Sequence, residues 1–321
     1  HLRCHPSRHP VADHQIADII LVDFQEYHCE IRVMDVPAIY IDEIPDLKKP
    51  LFIVGFDGWG NALSVATDMV DFIIRELRAE PFARMNPDLF FRYDQSRPIV
   101  KVEDGTLRSF KAPGGTFYAA LTDTGESDLV ILRADEPALR WYQFADEILM
   151  LCRKLGGHTL ITLGSMYDRV LHTDRVVSGM ASNEKIMSRL KRAGVALISY
   201  HGPSAIHSII QSEGPGRGFD CLSLWCHCPY YLQGTSHFGL LAVLSEILSR
   251  LGNFKLNPAE FEARWEVLNR QIQELIDNKP DLRDMISELR KEKVRGSVAS
   301  MKAVIKKDEK IINIKDFLDH T

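Results

Sequence analysis

Asp57, Trp59 and Asn61 stand in a glycine-rich turn, GFDGWGN, directly after the apolar run LFIVGF. A carboxylate, an indole and a carboxamide at alternate positions can accept from a base, stack on it and hold it near the N–H groups of a helix N-terminus. Glu136 and Arg140 follow a second apolar run, DLVILR. They would add an acceptor and an anion-holding guanidinium at the carboxyl edge of a sheet. Four apart at a helix start, they suit an ion pair equally well. Ser165 and His201 each follow a further apolar run. These seven residues are the candidates for ligand binding or for an oligomer contact.

Several chemistries fail on spacing. Gly55, Gly58 and Gly60 resemble a dinucleotide fingerprint, but GxGxxG needs glycine at 63, which is Leu63. A P-loop needs Gly-Lys-Ser/Thr, and Gly60 precedes Asn61. Cys221, Cys226, His227 and Cys228, with His201 and His207 upstream, invite a metal reading. Consecutive residues on an extended run point to opposite faces, so buried structural thiols are expected and no metal is assigned. Cys4, His5, His9 and His14 near the start make no better set. Ser165 lies in LGSMY, which is not G-x-S-x-G, and His172 and His201 are each a base without a fixed partner. No catalytic residue and no cofactor is assigned.

The positioning elements follow from period and punctuation. Leu51–Phe56 is a strand, and Ala62, Ala66, Val70, Ile73 and Leu77 mark one face of the helix after it, with Asn61 as its N-cap. Residues 98–121 read as a meander, turning at Asp104-Gly105 and Pro113-Gly114-Gly115. After the strand at Asp128–Arg133, Pro137 suits the first turn of a helix that buries Leu139, Tyr142, Ile148, Leu149 and Cys152 and stops at Gly156-Gly157. Strands are expected at Thr159–Leu163, Val195–Tyr200 and Cys221–Trp225. Helices are expected near Asn183–Ala193, Ser204–Ser212 and Phe238–Leu251, the first closed by Gly194 and the last by Gly252. This alternation predicts an α/β fold with a mostly parallel sheet covered on both faces.

The C-terminal third differs. Asn257-Pro258-Ala259-Glu260 opens a helix whose apolar stripe is Phe261, Trp265, Leu268, Ile272 and Leu275. Asn278-Lys279-Pro280 breaks it, and a second helix carries Leu282, Met285, Ile286 and Leu289. Such a hairpin must dock on the core or on another subunit. The tail from 294 is Lys-rich, with a contact stretch at Ile311–Leu318. Residues 1–15, beginning at His1, read as a truncated start or a disordered arm.

The chain has 321 residues, 45% hydrophobic and 26% charged, with net charge −5. Scattered Lys and Arg argue against nucleic acid. No apolar run reaches the ~18 residues of a membrane span. Six cysteines without a secretory leader point to reduced thiols in the cytoplasm.

Six motifs in order carry a resemblance over Pro50–Leu251. They are GFDGWGNA at 55–62, FRYDQSRP at 91–98, DLVILRADEPALRW at 128–141, LGSMYDRVLHTDRV at 163–176, YHGPSAIHSII at 200–210 and SLWCHCPYYL at 223–232. They are similar to the PAC2 family, named for proteasome assembly chaperone 2, and most to its bacterial members, actinobacterial ones included. The resemblance implies a three-layer α/β/α fold like that of purine nucleoside phosphorylases. It also implies self-association, with trimers among the assemblies, and kinship with proteasome assembly chaperones. Some bacterial relatives carry ligase labels, which no glycine-rich nucleotide loop supports here. The C-terminal hydrophobic-Tyr-any docking motif of such chaperones is not matched by Leu318-Asp319-His320-Thr321.

The expected organisation is an arm at 1–15, a PAC2-like domain at 16–253, a helical hairpin at 257–293 and a tail at 294–321. The expected function is that of a non-catalytic homo-oligomeric scaffold or assembly-chaperone-like factor, with a protein partner and no nucleic acid or membrane. The alternative is a binder or enzyme of a nucleoside-like metabolite that uses a phosphorylase-like pocket.

Overall fold

A computed structural model describes residues 36–122 and 126–294. The chain divides at Pro37, and of the first unit only Val36 and Pro37 are described. Cys4, Cys29, the histidines near the start and the tail with Ile311–Leu318 lie outside the described residues.

From Ala38 the chain builds a nine-stranded sheet in the order β1-β3-β6-β7-β2-β8-β11-β9-β10. Its centre is four parallel strands: β7 (Leu129–Asp135), β2 (Leu51–Asp57), β8 (Thr159–Asp168) and β11 (Asp220–Pro229). One flank is antiparallel: β6 (Gly115–Ala120), β3 (Glu80–Met85) and β1 (Ile39–Ile41). On the other flank, β9 (Val177–Ala181) runs antiparallel to β11, and β10 (Ala196–Leu197) closes the edge.

The central strands are apolar on both sides because helices cover both faces. On one face α1 (Val65–Glu76), α4 (Glu184–Arg192) and α6 (Phe238–Gly252) share a core with Ile53, Ile131, Ile161 and Leu224, and α7 (Ala259–Asn278) packs on α6 and α8 (Pro280–Val294) on α7 to extend it. The other packs α2 (Pro87–Phe90), α3 (Trp141–Lys154) and α5 (Ile206–Gly216) on Phe52, Val54, Val130 and Leu160. The C-terminal hairpin therefore docks within its own chain. Phe261 meets Phe72 at 4.5 Å between ring centroids, and Trp265 stacks on His237 at 4.7 Å. Arg175 forks onto Glu262 at 2.7 and 3.0 Å. Ile276 is buried where Leu275 was expected, and Leu275 is half-buried.

Several expectations are corrected. The 98–121 meander splits: β4 (Ile99–Glu103) and β5 (Thr106–Lys111) form a separate hairpin, and only β6 joins the main sheet. Pro137 does not open a helix. Arg140 takes a left-handed φ of 54° and α3 starts at Trp141, which leaves Leu139 and Tyr142 exposed. β8 and β11 run further than expected and β10 is shorter. α5 begins two residues later than expected, at Ile206, and extends to Gly216. Gly252 ends inside α6, and Asn253 takes the left-handed closing position. β1, β3 and β9 were not anticipated.

Candidate functional site

The Asp57–Asn61 turn leaves the carboxyl end of β2 at the middle of the sheet. β2 and β7 stay paired to their ends, Asp57 opposite Asp135, and Glu136 N–H donates to the Asp57 carbonyl at 2.7 Å. Glu136 is thereby fixed beside the turn. Its carboxylate accepts from Trp59 N at 3.2 Å and from Ile206 N, the first residue of α5, at 2.9 Å. A negative group there satisfies an orphan helix donor and complements the helix dipole. Gly58 sits at φ +155°, and a Cβ on it would lie 2.7 Å from the Glu136 Cβ. Glycine is needed for both reasons.

Asn61 does cap α1, but from further back than expected. A 3-10 turn at Ala62–Ser64 intervenes, with Leu63 and Ser64 both left-handed. The Asn61 Oδ1 accepts from Ala66 N at 3.0 Å and Thr67 N at 3.4 Å, while Nδ2 donates to Asp57 Oδ1 at 3.1 Å and Thr67 Oγ1 at 2.9 Å. Both donors and both acceptor sites of the carboxamide are thus engaged within the fold. Ser165 lies inside β8, fully buried. Its N–H donates to Gly60 O and its hydroxyl to Ala62 O, both at 2.8 Å.

The structure thus brings five of the seven candidates together around the turn: Asp57, Trp59, Asn61, Glu136 and Ser165. Glu136 binds backbone N–H groups rather than Arg140, so the expected ion pair is replaced. Arg140 is exposed at the start of α3, and His201 is exposed on the loop before α5. Of the five, Asp57 and Trp59 are exposed, Trp59 at 61%. The polar side-chain atoms of Asn61, Glu136 and Ser165 are tied to the backbone or to neighbouring side chains. Chemically the turn can offer an aromatic face, and its hydrogen bonds join β2, β8, α1 and α5.

Behind Gly60 lie Trp225 and His207, each within 3.4 Å of where a Cβ would stand. His207 Nε2–H donates to the Leu163 carbonyl at 2.8 Å, which leaves Nδ1 as a bare acceptor with no partner among the described residues. Burial pushes this imidazole down to about 4. His172, one of the two proposed bases, is also buried. It bonds the Tyr231 hydroxyl at 2.8 Å and is pushed down to about 4 by burial.

A second constellation crosses three neighbouring strands. His227 on β11 places Nδ1 2.7 Å from Asp168 Oδ2 at the end of β8, and Nε2 2.7 Å from Ser178 Oγ on β9. Burial alone would push the Asp168 carboxyl up. Hydrogen bonds from His227 and from Arg169 N–H outweigh it and hold the group below the usual carboxylate range. Residue-by-residue reading missed this set because Asp168, Ser178 and His227 share no local motif. The alternation argument did place His227 correctly, apart from Cys226 and Cys228. Those two thiols lie in the core on the α1 face, and Trp225, two residues before His227, packs on His207 of α5.

The four described cysteines are free and buried. Among the described residues no three His, Cys, Asp or Glu side chains group as a metal site, and no helix is long and apolar enough to cross a membrane.

The profile of the PAC2 family matches residues 52–276. No curated protein matches the sequence. The fold is similar to a proteasome-assembly chaperone homologue of Mycobacterium tuberculosis, at 25% identity and TM-score 0.67, covering 74% of this chain and 99% of that one. It is similar to a PAC2 family protein of Streptomyces avermitilis at 24% identity and TM-score 0.67, with coverage of 74% and 99%. An archaeal proteasome activator of Pyrococcus furiosus shares the fold at 17% identity and TM-score 0.59, with coverage of 74% and 97%.

Proposed function

The chain belongs to the PAC2 family, and on that premise we propose that it is an assembly-chaperone-like factor working as a homo-oligomeric scaffold in the cytoplasm. The observation that carries the reading is the β4–β5 hairpin. Val100 lies opposite Phe110 and Val102 opposite Leu107, so one face of the ribbon is apolar. All four side chains are more than half exposed, Phe110 at 61%. A lone two-stranded ribbon is marginal in water, and an uncovered apolar face of this kind marks a surface for a protein partner. The same ribbon on a second copy offers the same apolar face, which suits a symmetric contact. In this reading the 57–61 turn is architecture, because the Asn61 carboxamide and the Glu136 carboxylate beside it are engaged inside the fold.

Native mass spectrometry of the full chain tests the proposal. At micromolar concentration the wild type is expected as a multimer. Val100→Asp with Phe110→Asp is expected as a monomer with an unchanged circular dichroism spectrum. A monomeric wild type, or an equally multimeric double variant, contradicts the reading.

A further inference from the structure

We propose that Ser178 is a nucleophile, with His227 as its base and Asp168 as the residue that positions the base, acting on a small activated acyl ester. The inference goes beyond the scaffold reading and stands on different residues. The connectivity carries it. An ionised carboxylate can only accept, so Asp168 holds the proton on His227 Nδ1. In the neutral imidazole Nε2 is then unprotonated and accepts from the Ser178 hydroxyl across 2.7 Å. That is the tautomer and the order in which carboxylate, imidazole and hydroxyl activate serine on unrelated folds.

Access sets the substrate class. Ser178 is 4% exposed and His227 8%, while the Asp168 side chain exposes 29%. Asp168, at the carboxyl end of β8, is the member that meets solvent, and the burial of the other two restricts the substrate to a small acyl group. In the step, Oγ forms a bond to the acyl carbon while its proton passes to His227 Nε2. The C–O bond to the leaving alcohol breaks, and the alcohol takes that proton. Water, deprotonated by Nε2, then cleaves the acyl-serine, releases a carboxylic acid and restores Ser178.

Methanesulfonyl fluoride and p-nitrophenyl acetate on the full chain test the inference. The reagent is expected to add once, at Ser178 by peptide mass spectrometry, and the ester to be hydrolysed. Ser178→Ala is expected to lose the adduct and the turnover. Asp168→Asn can keep a hydrogen bond to Nδ1 yet favours the other tautomer. Its turnover is expected to fall on the order of a thousandfold or more with the unfolding midpoint retained, and nitrogen-15 shifts of His227 should report the tautomer change. A folded wild type with no adduct at Ser178 overturns the proposal. So does an Asp168→Asn variant with undiminished labelling, and either result leaves the chain of bonds as a strap holding β9 to β11 and β8.

Discussion

Replacing Glu136 by alanine removes two hydrogen bonds in one step, and the structure says how much each is worth. Trp59 is largely exposed, so water takes over its N–H at little cost. Ile206 is fully buried, and its N–H has Glu136 Oε1 as acceptor at 2.9 Å. A hydrogen bond to a charged acceptor contributes about 1.5–3 kcal/mol, more so when its loss strands a buried donor. Removing a negative charge from the start of α5 adds about 0.3–1 kcal/mol. The expected loss is about 3 kcal/mol, and Glu136→Gln, which keeps one acceptor oxygen, loses about half of that. At roughly 2–4 °C per kcal/mol for a domain of this size, Tm falls by about 6–12 °C for the alanine variant. Urea unfolding followed by circular dichroism measures the free energy, and calorimetry the Tm. A residue held for ligand binding behaves differently, because removing it is commonly neutral or stabilising. An alanine variant within about 0.5 kcal/mol of wild type refutes the assignment of Glu136 to architecture.

Two further outcomes follow from the same structure. Burial holds His172 and His207 down to about 4 and His237 to about 3, so all three are neutral in the folded state at neutral pH. The unfolded chain takes up protons below about 6.5, so stability is full above that pH and falls as pH drops toward 4, by roughly 1.4 kcal/mol per pH unit for each histidine. Urea midpoints at pH 7 and pH 5 check the sign, and equal midpoints contradict it. A thermal-shift panel of nucleosides and nucleotides at millimolar concentration is expected to leave Tm unchanged, because Asn61, Glu136 and Ser165 already bond within the fold. A saturable rise of several degrees, lost on Trp59→Ala, restores the metabolite-binding alternative.

The strand, turn and helix at 51–76 were legible because every residue that specifies them is contiguous. The Asn61 cap was legible in role and displaced in position, since nothing local announces two left-handed residues at Leu63 and Ser64. Gly164-Ser165 reads as a strand end from its composition. In the fold Gly164 is a strand glycine, bare because the Trp225 indole lies where a Cβ would stand, 2.8 Å away. That requirement comes from a residue sixty-one positions on. β3, EPFARM, is half exposed and broken by a register shift between Pro81 and Ala83, so it lacks a clean two-residue period. The 99–111 hairpin was correct in its turn chemistry, with Asp104 and Gly105 both left-handed, while its separation from the main sheet depends on tertiary packing. Asp168, His227 and Ser178 meet because β8, β11 and β9 are neighbours, an order that chain position alone does not disclose.

Hydrogen–deuterium exchange over residues 99–111 of the full chain, read as a function of protein concentration, tests the scaffold reading most directly. A ribbon covered by a second copy shows amide protection that rises with concentration and disappears in the Val100→Asp, Phe110→Asp variant. Rapid exchange at every concentration, equal in wild type and variant, contradicts it.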